Sequence, residues 1–189
     1  MKTPHRVADE RDEDSVAHEV IEAGAVAGLV GGLAMWLCAA TYAAAVGSGF
    51  WTPVKAIAEM VFGTRVYEMG ARAALIGMAI HIFMSMAMGV LFASVTPRDV
   101  SPAPALALGA VAGVAILVGM NLVVLQTYNW TTSPGEQSHL MWGSVPGLMP
   151  RPMAFVIHMV YGAGLALAPG FRRRFRERSP SAARQTDTP

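Results

Sequence analysis

Apolar residues run almost unbroken through four stretches of this chain, at residues 20–46, 72–95, 104–127 and 152–169. A helix needs roughly 20 apolar residues to cross a bilayer, and the first three stretches exceed that length. The fourth is slightly shorter. None alternates with the two-residue period of a half-buried strand. The pattern therefore predicts an all-α protein with four transmembrane helices.

Shorter segments separate these stretches. After Gly47-Ser48-Gly49, the run from Thr52 to Gly63 has Thr52 as N-cap, Pro53 at the first helical position and Gly63 to close the helix. It is too short to span, and Trp51 beside it suits the bilayer interface. It reads as an interfacial helix. Ser133-Pro134-Gly135-Glu136 opens a second such segment, in which Glu136 completes a capping box and Trp142-Gly143 marks the end. Thr96-Pro97-Arg98-Asp99 gives a short turn between the second and third crossings, which predicts antiparallel neighbours. Pro169-Gly170 closes the fourth crossing.

The features recur in order. Gly24-Ala25-Val26-Ala27-Gly28 returns as Gly109-Ala110-Val111-Ala112-Gly113, Thr52-Pro53 as Ser133-Pro134, and Ile80-His81 as Ile157-His158. Such self-similarity is the mark of a duplicated unit. Each unit crosses twice, so the copies are parallel and related by an axis along the membrane normal. The expected architecture is a four-helix bundle of two repeats, residues 20–95 and 104–170, each with a short interfacial helix. Residues 1–19 form an acidic polar tail. Residues 171–189 form a basic tail that reads as disordered.

Composition and charge agree with a membrane protein. Hydrophobic residues make up 53% of the chain and charged residues 14%, against about 25% charged in soluble domains. Most of the charges fall before Val20 or after Gly170. The net charge of +1 supplies no basic field for nucleic acid. Cys38 is the single cysteine, which excludes an intrachain disulfide or a cysteine zinc motif. The polar start does not read as a cleavable signal peptide. Lys55, Arg65, Arg72 and Arg151 lie on one side of the predicted membrane and the other ten Lys and Arg residues on the opposite side. That asymmetry puts both chain ends in the cytoplasm of a bacterial-type inner membrane.

Candidate chemistry is sparse. His81 and His158 sit inside apolar crossings, where polar rings are costly and mark functional positions by default. Two facing imidazoles are the minimum for axial ligation of haem b. His81, Met84 and Met88 follow helical spacing, and imidazole with thioether suits monovalent copper. The alternative is a structural polar core in which the rings bond to each other, to Ser85, Asn121 or Tyr161, or to a backbone carbonyl. Thr41 and Gln126 extend that seam, which would suit a solute or proton path through a homodimeric transporter half-module. Gly24, Gly28 and Gly32, with Gly109 and Gly113, offer small-residue faces for close helix packing. Glu59, Glu136 and His139 read as solvated outer residues, and the arginines after Phe171 as a headgroup anchor. No nucleophile with a base and no phosphate loop is present. The expected function is a structural or interaction component of the membrane, partnered by the lipid bilayer and by a second copy or another membrane protein. A haem- or metal-binding redox protein is the alternative.

Overall fold

The structure, a computed structural model, describes residues 4–124 and 149–178. The described residues are helical, with no strand among them. Among them six α-helices follow in order: α1 (Pro4–Ala45), α2 (Thr52–Phe62), α3 (Ala71–Val95), α4 (Pro102–Gly119), α5 (Arg151–Leu165) and α6 (Ala168–Arg178). A 3-10 segment, Thr64–Met69, leads into α3, and a π-helical turn, Met120–Val124, extends α4. Among the described residues, four spans are long and apolar enough to cross a membrane: Ser15–Ala45, Ala71–Val95, Pro102–Leu122 and Arg151–Glu177. The chain has the make-up of a multi-pass membrane protein.

The spans pack in the order α3, α1, α5, α4. α1 and α5 are central, and each has a long partner on both sides. The expected pairing of α3 with α4 is corrected here: residues 96–101 join them, but the two helices do not pack along their lengths. The share of each apolar window that is buried reflects this, at 44% for the central helices and 22% for α3 and α4. A short connection forces antiparallel direction. It does not force contact when each helix has a better-fitting groove elsewhere.

Glycine decides those grooves. On α1, Gly24 faces Gly89 and Val90 of α3, Gly28 faces the backbone of Ser85 and Met86, and Gly32 faces the Ser85 side chain. An added Cβ at any of the three would overlap its neighbour. On α4, Gly109 meets Gly162 of α5, and Gly113 meets the His158 carbonyl. Gly31 and Gly164 close the α1–α5 seam. With no hydrophobic drive between helices in lipid, backbone approach of this kind and the dispersion it permits hold spans together.

The two outer pairs share a contact pattern but not the register that the Ile-His strings suggest. Aligning Gly24 with Gly109 and Gly28 with Gly113 makes Gly89 equivalent to Gly162 and Ser85 equivalent to His158. His81 falls one helical turn away. Packing keeps the glycines in equivalent places and not the histidines.

Local details also differ from expectation. Trp51, not Thr52, is the N-cap of α2, and it makes no side-chain cap bond. The Thr52 hydroxyl instead donates back to the Ser48 carbonyl (2.5 Å). Gly63 ends the helix with φ 71°, a conformation only glycine adopts freely. α2 lies against the start of α3, with the Val54 carbonyl on Gly77. Helix α1 continues back to Pro4 through the acidic stretch. Pro169 and Gly170 fall inside the first turn of α6, where proline is tolerated because that N–H has no helical partner. The basic segment to Arg178 is therefore helical. The second interfacial segment, with Glu136, His139, Trp130 and Trp142, and also Gln126, lie outside the described residues.

Candidate functional site: a polar seam and a buried arginine

His81 reaches sideways from α3. Its Nε2–H donates to the Gly32 carbonyl of α1 at 2.9 Å. Gly32 is where the fold permits this, because a side chain there would strike Ser85. Ser85 is buried, and its own carbonyl accepts a bond from the Tyr161 hydroxyl at 2.7 Å. Tyr161 is 3% exposed and belongs to α5. Three helices are thus stitched in mid-span by two bonds from side chains to backbone carbonyls. Interhelical bonds of this kind contribute about 0.6 kcal/mol each, and their main effect is to fix register.

His158 is separate. Its Nδ1–H donates to the Ala154 carbonyl of its own helix at 2.7 Å. That leaves Nε2 uncommitted, the disposition a metal-ligating histidine uses. His81 is arranged the other way, with Nε2 committed to Gly32. Two imidazoles ligating one iron through Nε2 would require that bond to break. Asn121 donates to the Leu117 carbonyl of its own helix (2.7 Å) and joins neither ring. Met84 is 45% exposed, while Met88 packs against the core of Ala27, Phe92 and Tyr161. No group of three or more His, Cys, Asp or Glu placed to hold a metal occurs among the described residues.

Three further features were not read from the sequence. Arg172 is 3% exposed beside Glu19, at the end where the apolar span of α1 begins and α3 finishes. Its Nη1 donates to the carbonyls of Ala93 and Thr96, both at 3.1 Å, and its Nε to Glu19 at 3.3 Å. The last carbonyls of α3 lack helical partners and carry the negative end of the dipole, so a guanidinium satisfies both demands. Arg176 adds a looser pair to Glu19 at 3.6 Å. At the other end, Glu59 is buried and accepts a bond from the Tyr67 hydroxyl at 2.7 Å. It is not a solvated face. Trp36 stacks on Trp51 at 5.6 Å and meets Phe50 edge-on at 5.4 Å. Its indole nitrogen is buried without a hydrogen-bond partner. Basic runs and tryptophans flag such places in a sequence, but nothing in the string says which arginine turns inward.

An open apolar groove lies between α1 and α5, lined by Leu37, Cys38, Thr41, Tyr42, Ala45 and Met153. It presents no convergent polar groups to a substrate. The chain matches no protein-family profile, and no curated protein or solved structure is significantly similar to it.

Proposed function

We propose that this chain is a structural or interaction component of a bacterial-type inner membrane, acting through the uncovered sides of α3 and α4 toward a second copy or another membrane protein. One observation carries the reading: among the described residues, each outer span has a long partner on one side only, with α2 added against the start of α3, while the central pair is locked by glycine contacts. Large apolar side chains line the uncovered sides, among them Leu75, Phe83 and Leu91 on α3 and Leu106, Val111 and Val118 on α4. His81, Tyr161, Asn121 and one ring nitrogen of His158 bond to backbone carbonyls, which supports a packing role for them. In this reading the two helix pairs descend from a duplication, and both chain ends lie in the cytoplasm.

A photo-crosslinking residue at Phe83 or Val111 in cells tests the proposal. A discrete protein adduct is expected at one position or both. Adducts to lipid alone at both would overturn it. A periplasm-only reporter fused after Arg178 should stay silent, and an active one would overturn the orientation.

A second reading has the free Nε2 of His158 in its favour, as a ligand to haem b or copper. A reduced-minus-oxidised spectrum and elemental analysis of purified protein test it. Absence of both haem and copper from protein isolated out of the native membrane would refute it.

A further inference from the structure

The arginine cluster after Phe171 looks uniform in sequence, but the structure divides it in two. A helix turns 100° per residue, so neighbouring arginines on α6 point in different directions. Arg172 turns inward and caps α3. Arg176 lies one turn further on the same side and pairs with Glu19. Arg173 and Arg174 turn away and are exposed. Neither has a carboxylate or carbonyl partner among the described residues. Glu177, four residues beyond Arg173, makes no ion pair with it.

Their depth follows from the same contacts. Arg172 binds the final turn of α3, so the next two residues stand just beyond the end of an apolar span. Val95, the last residue of α3, is 73% exposed, and Leu167, two residues before Pro169, is 45% exposed. These apolar surfaces belong to hydrocarbon. Phe171 and Phe175 stack along another side of α6, with centroids 6.3 Å apart. Two unpaired guanidiniums at the edge of an apolar belt lie at headgroup level, and a guanidinium is the side chain that best matches phosphate oxygens.

We propose that Arg173 and Arg174 form a binding site for the phosphate of anionic phospholipids, while Arg172 caps α3 in the interior and the half-exposed Arg176 pairs with Glu19. The proposal rests on the chain being a membrane protein. The juxtaposition that carries it is two outward, unpartnered arginines held in fixed phase by a third that is buried.

The test uses the full chain in neutral detergent. Native mass spectrometry counts bound lipid as dioleoyl phosphatidylglycerol or dioleoyl phosphatidylcholine is titrated in. Phosphatidylglycerol should bind in preference. Each neutralised arginine should weaken that binding about fivefold, so the R173Q/R174Q variant should lose roughly 25-fold. R65Q, an exposed arginine at the other end, should bind as the parent does. Circular dichroism should show the double variant as helical as the parent. Unchanged affinity in R173Q/R174Q, equal binding of phosphatidylcholine, or full competition by millimolar inorganic phosphate would each overturn the proposal. Recovery of the protein in a soluble fraction without detergent would instead defeat the membrane reading, before any lipid is added.

Discussion

Gly28→Ala places one methyl group where α1 meets α3. Its Cβ would lie 2.9 Å from the Ser85 carbonyl carbon and 3.0 Å from Met86 Cα, and closer still to the Ser85 carbonyl oxygen. Comfortable carbon contacts are about 3.5–4.0 Å, so the two helices must separate by roughly 1 Å. Every atom struck is backbone, and no rotamer change relieves the clash. The separation also stretches the His81–Gly32 bond from 2.9 Å toward the limit of a hydrogen bond. Overpacking costs about 1–3 kcal/mol, and the lost interhelical bond about 0.6 kcal/mol. Alanine returns up to about 1 kcal/mol of helix propensity. With the full propensity gain the net loss is about 0.6–2.6 kcal/mol, which corresponds to a fall in Tm of about 1–10 °C for a chain of this size.

Gly119→Ala is the matched control. A Cβ there meets nothing within 4 Å, so only the propensity gain remains. Thermal unfolding in one detergent, followed by tryptophan fluorescence, should lower Tm for Gly28→Ala and leave it unchanged or slightly raised for Gly119→Ala. Equal midpoints for the two variants would show that Gly28 faces lipid and that the α1–α3 contact is misplaced.

Tyr161→Phe should lose about 0.6–1.7 kcal/mol, whereas Ser85→Ala should lose less, because the acceptor is the Ser85 backbone and not its hydroxyl; equal losses in detergent unfolding would refute that assignment. Arg172→Gln should destabilise by up to about 3 kcal/mol by stranding two carbonyls and leaving Glu19 only its longer pair to Arg176, and Glu19→Gln should recover part of the loss in the double variant; strictly additive losses in the cycle would show that the two side chains do not interact. Trp36→Phe removes a buried N–H without a partner, so it should cost no more than about 1 kcal/mol in detergent unfolding; a loss well above about 2 kcal/mol would mean that Trp36 has a partner.

Span positions were legible because a bilayer imposes a single requirement, about 20 apolar residues, which three stretches of the chain exceed and the fourth approaches. The glycine spacing on α1 and α4 was legible for a similar reason: a missing side chain matters wherever backbones approach. Partners were not legible. Residues 96–101 made α3 and α4 consecutive, yet α3 packs on α1 and α4 on α5, because Gly89 and Gly162 accept the glycines of those helices. A loop length constrains direction, while contact is settled by the shapes of faces that the sequence string does not place opposite one another.

The histidines show where pattern matching fails in physical terms. Ile80-His81 and Ile157-His158 are alike as strings, but a helix has no use for a string; it has a phase and a neighbour. His81 faces Gly32, whose bare backbone lets an imidazole reach a carbonyl across the seam. His158 lies where Ser85 lies in the other pair and turns down its own helix to Ala154. One residue type has two surroundings because the glycine contacts, repeated every turn, fix the register before the histidines are placed. The same holds for the arginines, where Arg172 is interior and Arg173 is surface because α3 ends beside one and not the other. In a chain this poor in charge, the neighbours' backbone decides what each polar residue does. The residues to test first are therefore those whose polar atoms meet no carbonyl: the Nε2 of His158, the indole of Trp36 and the outward pair on α6.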